Sequence, residues 1–174
     1  INPASFPLLP LHVVLLELII DPTCSIVLER QPAEQNIMER KPRDPNENIL
    51  TSNLLAKSIL QGLTVFAASF GTYFVFLRNS PDNAPLARTM GLVIVILANL
   101  LIVQVNSSNY DYVFQSIIRL ARDKFMWASS FVTIAGVLLI LYTPVCSFLK
   151  LAPLSAGQFL LVVIIASASV LWYE

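Results

Sequence analysis

Five long apolar stretches separated by polar connections dominate the chain. They lie at about residues 8–28, 53–77, 87–105, 125–146 and 156–173. A helix needs about 20 mostly apolar residues to cross the roughly 30 Å hydrocarbon core of a bilayer, and the five stretches approach or exceed that length. The pattern therefore predicts an all-α fold: a polytopic transmembrane helix bundle with five spanning helices, in which residues 1–174 form one membrane domain.

The two longest polar connections, about residues 29–52 and 106–124, hold most of the basic residues. Of the 11 Lys and Arg residues, all but three lie in or beside these connections. The three exceptions are Arg78, Arg88 and Lys150. Because cytoplasmic loops of membrane proteins are enriched in Lys and Arg, both connections are predicted to be cytoplasmic. The first helix then runs from outside to inside, and Glu174 is cytoplasmic.

The composition favours a protein of the lipid bilayer over a soluble domain. Hydrophobic residues make up 56% of the chain, charged residues make up 13%, and the mean hydropathy is +0.70. The formal net charge is zero, so the charge balance gives no reason to expect a nucleic-acid partner. Cys24 and Cys146 lie in apolar stretches without a second Cys or a His at metal-ligand spacing, which predicts two small buried apolar residues.

Two local patterns concern helix ends and helix packing. Ser155 followed three residues later by Gln158 predicts a capping box at the start of the fifth helix. Ala67 and Gly71 are four residues apart in the second helix, so they share one face. Small side chains allow close approach of two helices in a membrane, and we expect another helix to pack on this face.

The first apolar stretch carries two carboxylates, Glu17 and Asp21, one helical turn apart. A charged side chain at the centre of a membrane helix costs roughly 2.5 to 3.5 kcal/mol, so the pair is expected to face a bundle interior or a bound cation rather than lipid. Pro22 has no N–H, which leaves the carbonyl of Leu18 free beside the carboxylates. Such oxygens are the ligands of hard cations such as calcium. The alternative is a protonated, hydrogen-bonded pair with a purely structural role.

Three further polar residues lie within apolar stretches. Asn99 and Gln104, in the third helix, are each expected to make an interhelical hydrogen bond, and Asn99 is also a candidate further ligand of the cation. His12 lies in the first turn of its helix, where an interfacial histidine without a specific role is the expectation.

Two segments together resemble a known family. The sequence E-L-I-I-D-P at residues 17–22, and the loop P-A-E-Q-N-I-M-E-R-K-P-R-D-P at residues 32–45, are similar to the sixth membrane helix and the next cytoplasmic loop of type II, calcium-pump-like P-type ATPases. The specific part of the loop is Ile37, Met38, Arg40, Pro42 and Arg43. The five helices then correspond to membrane helices six to ten, and the E-L-I-I-D-P form resembles bacterial members.

The resemblance implies a function and a set of partners. Asp21 matches an aspartate that ligates the transported ion, Glu17 falls where calcium pumps commonly use an asparagine, and the loop resembles one that couples the phosphorylation domain to the membrane sites. The implied protein is an ATP-driven pump of a metal cation such as calcium, or of protons, in the bacterial plasma membrane. Its parent uses ATP and magnesium and supplies membrane helices one to five and the remaining pump domains.

The chain itself carries no cofactor motif and is not expected to hydrolyse ATP alone. The phosphorylation motif D-K-T-G-T and the actuator motif T-G-E-S are both absent from its sequence. Two alternatives use the same helices without ATPase activity. The first is a stand-alone membrane scaffold or regulatory subunit, and the second is a small oligomeric ion transporter.

Overall fold

The computed structural model describes residues 7–29, 52–79, 83–106 and 124–172 of the chain. These residues form six helices. They are α1 Pro10–Glu29, α2 Ser52–Asn79, α3 Ala84–Asn106, α4 Lys124–Tyr142, α5 Val145–Phe148 and α6 Ala156–Leu171. The all-α fold is therefore confirmed. The connections at 30–51 and 107–123, with the predicted coupling residues Ile37, Met38, Arg40, Pro42 and Arg43, lie outside the described residues.

Three of the described helices are long and apolar enough to cross a membrane. The qualifying stretches are Pro10–Val27, Ser52–Arg78 and Ala84–Val105. The apolar parts of α4 and α6, Trp127–Tyr142 and Ala156–Leu171, are shorter. The long and short helices together form a bundle of the kind found in integral membrane proteins.

The fourth apolar stretch is divided, in contrast to the continuous span predicted over 125–146. α4 ends at Tyr142, and the four-residue helix α5 begins at Val145, after Pro144. Pro144 cannot donate a hydrogen bond to the carbonyl of Ile140, and this missing bond weakens the helix at the point where α4 ends. We call residues 143–155 the α4–α6 linker.

The α4–α6 linker is folded onto the bundle. Leu149, Leu151 and Leu154 are buried in the same core cluster as residues of α3, α4 and α6. Lys150 has a φ of 53°, and the amide groups of Lys150 and Leu151 donate to the carbonyls of Ser147 and Cys146. This is the Schellman motif, in which two backbone amides bond the last carbonyls of a helix. The position that Lys150 occupies is most often glycine in this motif, because its φ is positive.

α3 is the central helix of the bundle, and α1 is peripheral. α3 packs against α1, α2, α4 and α6. Of the span Ala84–Val105, 67% of residues are buried, against 11% of Pro10–Val27 in α1. The described chain is therefore built around α3, while one side of α1 is left uncovered.

α2 and α3 approach each other closely at Gly91. Ser69 Oγ donates to the carbonyl oxygen of Gly91 at 2.9 Å. A Cβ atom built on Gly91 would lie 3.3 Å from Ser69 Oγ and 3.4 Å from the carbonyl oxygen of Ser69, so a larger residue here would require Ser69 to move by a few tenths of an ångström. The prediction for Ala67 and Gly71 was wrong for the described helices, since both residues are exposed and nothing lies within 4 Å of a Cβ built on Gly71.

The capping-box prediction at α6 is confirmed, and the prediction of buried cysteines is confirmed for Cys146 and only in part for Cys24. Ser155 and Gln158 form the capping box, with Ser155 Oγ accepting from the Gln158 amide and Gln158 Oε1 accepting from the Ser155 amide. Both cysteines are free; Cys146 is buried and Cys24 is partly buried. The capping box gives the backbone amides of Ser155 and Gln158, at the start of α6, hydrogen-bond partners within the protein.

Candidate cation-binding site

One face of α1 holds the helix against the bundle. Leu16 and Ile19 pack against the core cluster, and Val27 is buried. These residues recur at the three- and four-residue spacing of a single helical face. Thr23 adds a polar contact on the same face, with its Oγ1 at 3.3 Å from Thr133 Oγ1 of α4. These contacts place one side of α1 against the bundle, and the opposite side of the helix turns outward.

Glu17 and Asp21 lie on the outward face of α1. Both residues are exposed, together with Leu18 and Val14, which are 70% and 64% exposed. Within the described residues, neither carboxylate makes a hydrogen bond or an ion pair. The two are one turn apart, which places their Cβ atoms about 5–6 Å from each other. The pair therefore converges on one place outside this bundle and not in its interior.

Pro22 adds a backbone oxygen to the outward face. α1 continues through Pro22 as one helix from Pro10 to Glu29. Because Pro22 has no N–H, the carbonyl of Leu18 lacks its usual partner within the helix. Pro22 is exposed and next to Asp21, so this carbonyl lies on the same side as the carboxylate pair. The outward face thus offers carboxylate and carbonyl oxygens, which suit a hard cation.

Asn99 lies on the other side of α1. Its side-chain nitrogen donates to the carbonyl of Val95 in its own helix at 2.9 Å, so the expected interhelical bond was wrong for this residue. Asn99 lines a cavity of about 10 Å³ with Thr23, Cys24 and Thr133. That volume corresponds to about one water molecule. The structure thus brings Asn99 together with hydroxyl groups behind α1 and not with Glu17 and Asp21.

Gln104 makes the predicted interhelical bond. Its side-chain nitrogen donates to Ser130 Oγ, joining α3 to α4. The hydroxyl pair of Thr23 and Thr133 was not anticipated by the sequence reasoning. The only sequence indication was the position of Thr23 at the inward spacing of α1, two residues after Asp21.

His12, to which the sequence assigned no specific role, is buried and makes two specific contacts. Its side chain has an exposed fraction of 0%. Nδ1 accepts a hydrogen bond from the Leu9 amide at 3.2 Å, and Nε2 lies 2.7 Å from the carbonyl oxygen of Leu149. Since Nδ1 accepts, Nε2 carries the proton and donates. The fold of the α4–α6 linker over the start of α1 covers the ring, and this burial could not be inferred from position alone.

Two residues of α3 hold the same linker. Arg88 is 4% exposed and donates from Nη1 to the carbonyl oxygen of Lys150 at 3.2 Å. Thr89 Oγ1 accepts from the Ala152 amide at 2.9 Å. The starts of α1 and α3 and the end of α4 therefore meet at one end of the bundle. Arg88 is part of this packing as well as of the charge distribution along the chain.

The described residues alone do not provide the full ligand set of a hard cation. No group of three or more His, Cys, Asp and Glu side chains comes together among them. Hard cations such as calcium take six to eight oxygen ligands. The carboxylate pair and the Leu18 carbonyl offer fewer oxygens than that, on a face that turns away from α3 and α4.

The fold and the apolar helices define an integral membrane domain. Residues 5–174 match the family described as the C-terminus of cation-transporting ATPases. The chain belongs to this family, and it is a C-terminal membrane domain of a cation-transporting P-type ATPase.

Similar proteins carry related names. The chain is 26% identical over 95 residues, or 55% of its length, to a calcium-transporting ATPase of Bacillus subtilis, and 31% identical over 97 residues, or 56%, to the cation-transporting ATPase pma1 of Synechocystis. It is 26% identical over 140 residues, or 79%, to the human calcium-transporting ATPase type 2C member 1. These matches span 11%, 11% and 15% of the respective relatives.

Proposed function

We propose that this chain is the ion-binding membrane part of an ATP-driven cation pump, with Glu17 and Asp21 as ligands of the transported ion. The observation that supports this most is the exposure of both carboxylates on one face of an otherwise apolar helix. The chain belongs to the family of cation-transporting ATPase C-termini, and a carboxylate pair in such a protein can bind the transported cation. The transported ion is a metal cation such as calcium, or protons.

The outward face of α1 is covered in the parent protein by further membrane helices. A charged residue at the centre of a membrane helix costs roughly 2.5 to 3.5 kcal/mol when it faces lipid, and two lie here within one turn. Helices from outside this chain, corresponding to membrane helices one to five, remove that cost by bringing oxygen ligands to the cation. Asn99 remains a candidate further ligand, and it reaches the ion if α1 turns or shifts during transport.

The parent supplies the chemistry that drives transport. It uses ATP and magnesium in domains outside this chain. The loop residues Ile37, Met38, Arg40, Pro42 and Arg43 are the proposed contact between those domains and the membrane helices. Arg40 and Arg43 are well suited to such a contact because guanidinium groups bind carboxylates with paired hydrogen bonds.

The test of this function uses the full-length pump in its membrane. Incubation with ATP should yield a phosphorylated enzyme whose amount depends on one cation, and the same cation should accumulate in sealed vesicles. Calcium, manganese, magnesium, sodium and potassium are to be compared at several pH values. If phosphorylation and transport respond to none of them, nor to pH, the proposed function is wrong.

The proposed orientation places the 29–52 connection and Glu174 in the cytoplasm of a bacterial cell. We expect Lys41→Cys to resist a membrane-impermeant maleimide in intact cells and to react after the membrane is opened. Asn83→Cys, at an exposed position between α2 and α3, should react in intact cells. The physical reason is that loops rich in Lys and Arg stay on the cytoplasmic side of the membrane when a protein inserts.

The labelling requires a background in which Cys24 and Cys146 are replaced by Ala. Mass spectrometry of the labelled protein then identifies the modified position. Labelling of Lys41→Cys from outside, with protection of Asn83→Cys, would reverse the proposed orientation.

A further inference from the structure

Three buried side chains from two helices hold a short stretch of the α4–α6 linker. The carbonyl oxygens of Leu149 and Lys150 accept from His12 and Arg88, at 2.7 and 3.2 Å. The Ala152 amide donates to Thr89 Oγ1 at 2.9 Å. Arg88 and Thr89 belong to the central helix α3, whereas His12 belongs to the peripheral helix α1. The His12 bond is therefore the polar connection from this linker to α1.

The His12 connection is specific in direction and in distance. Both ring nitrogens are engaged, one by the Leu9 amide and the other by the Leu149 carbonyl. The ring is fully buried, so water cannot replace either partner. A displacement of α1 along its axis by one residue, about 1.5 Å, would break a bond of this length. His12 thus defines the height of α1 relative to α3.

The rest of the inner face of α1 fixes that height less strictly. Its contacts are mainly those of aliphatic side chains such as Leu16 and Ile19, which are non-directional. Among the described residues, the other polar contact from α1 to the rest of the bundle is the 3.3 Å approach of the Thr23 and Thr133 hydroxyl groups. Only 11% of the residues in the span of α1 are buried. With so few packing contacts, the buried hydrogen bond of His12 contributes strongly to the position of α1 along its axis relative to α3.

We propose that His12 is a positioning residue for the transported cation: by tying α1 to the linker carbonyl of Leu149, it sets the height and rotation of Glu17 and Asp21. Glu17 follows His12 by five residues, about 7.5 Å along the helix axis. We call the hydrogen bond between His12 and the Leu149 carbonyl the tether. A change at the tether is transmitted to the carboxylates because the helix between His12 and Asp21 is continuous. The inference rests on the proposed function for the role of the carboxylates, but the tether itself does not.

The first experiment compares His12→Leu with His12→Gln in the full-length pump. Leucine leaves the buried Leu149 carbonyl without a donor, whereas the amide group of glutamine can still donate to it. We expect His12→Leu to raise the cation concentration for half-maximal phosphorylation about tenfold, equivalent to about 1.4 kcal/mol, without a change in the maximal level. His12→Gln should return it to within about threefold of the wild type.

Tyr142→Phe is the matched control. Its hydroxyl group donates to the Leu154 carbonyl at 2.8 Å, so the variant loses a hydrogen bond that joins the same linker to α4 and involves no residue of α1. It should lower thermal stability without changing the cation concentration for half-maximal phosphorylation. If Tyr142→Phe and His12→Leu weaken cation binding equally, the effect comes from the linker in general and the positioning role is wrong.

A distance measurement between α1 and α2 tests the positioning role of His12 without relying on cation binding. Spin labels at Ile26 in α1, an exposed position five residues beyond Asp21, and at the exposed Leu63 in α2 report the distance between these helices in the full-length pump, with the native cysteines replaced. His12→Leu should broaden or shift the distance distribution, and His12→Gln should not. An unchanged distribution in His12→Leu overturns the inference. If the distribution shifts but Asp21→Asn leaves cation dependence intact, the tether stands and the proposed cation site fails.

Discussion

Asp21→Asn is expected to abolish cation-dependent phosphorylation from ATP in the full-length pump. The substitution removes the negative charge while keeping the size of the side chain, so the helix should insert and pack as before. A cation in a site of low dielectric constant is stabilised by the carboxylate charge, and an amide oxygen compensates for only part of that loss. The measurement is phosphorylated enzyme against cation concentration, up to at least 100 times the half-maximal concentration of the wild type.

Glu17→Gln should have a smaller effect than Asp21→Asn. Calcium-pump-like proteins commonly use an amide at the corresponding position, so weakened affinity or altered selectivity is expected instead of complete loss. Because cations and protons compete for the same carboxylate oxygens, the wild type should need more cation for half-maximal phosphorylation as the pH falls. With one carboxylate removed, the pH dependence in the Glu17→Gln variant should become shallower.

Glu29→Gln is the matched control for both carboxylate variants. Glu29 is an exposed carboxylate at the last position of the same helix and lies beyond the membrane-spanning stretch Pro10–Val27. Its replacement should leave the cation dependence unchanged. If Asp21→Asn and Glu17→Gln, both inserted at normal levels, match the wild type at every pH, the pair is structural and the proposed site is wrong.

Gly91→Val is expected to destabilise the helix bundle by about 1 to 3 kcal/mol, the usual cost of an overpacked core. The added Cβ atom would lie 3.3 Å from Ser69 Oγ, and the two methyl groups beyond it need space that α2 occupies. Separation of the helices would also strain the 2.9 Å hydrogen bond from Ser69 to the Gly91 carbonyl. The loss is measured as a lower midpoint of thermal or denaturant-induced unfolding in detergent micelles.

Gly71→Val separates packing from helix propensity. Gly71 is in the middle of α2 and nothing lies within 4 Å of a Cβ built on it. Both variants replace a helical glycine with the same β-branched residue, so their intrinsic effects on helix formation are alike. Gly71→Val should leave the midpoint unchanged or raise it slightly. Equal unfolding midpoints for the two variants would show that the α2–α3 approach is looser than the structure indicates.

The sequence predicted the helices well because the apolar stretches exceed the length of ordinary soluble core segments. The end of α4 was less predictable: the apolar run continues to Cys146, and the break depends on Pro144 and on the packing of the following linker. Likewise, the sequence showed that Glu17 and Asp21 share a face. It did not show that this face turns away from α3 and α4, since every face of α1 is largely apolar and the hydrophobic pattern does not single out an inner side.

Tertiary contacts decided the outcomes for the remaining polar residues. Gln104 found its partner in Ser130 because α3 and α4 meet at that level. Asn99, one and a half turns earlier, bonded to its own helix, and His12 was buried by a linker more than 130 residues away in the chain. Local sequence patterns cannot specify such contacts, because they depend on how distant segments cross.

The outward position of the carboxylate pair also affects the order of events during biosynthesis. In the proposed pump, the ligands on α1 and those on the earlier helices belong to parts that pack separately. A site divided in this way cannot hold its cation before the two parts meet. Until then the two carboxylates face lipid, which is energetically unfavourable. This cost favours association of α1 with the earlier helices. In the proposed pump, ion selectivity would therefore be set only after the two parts have joined.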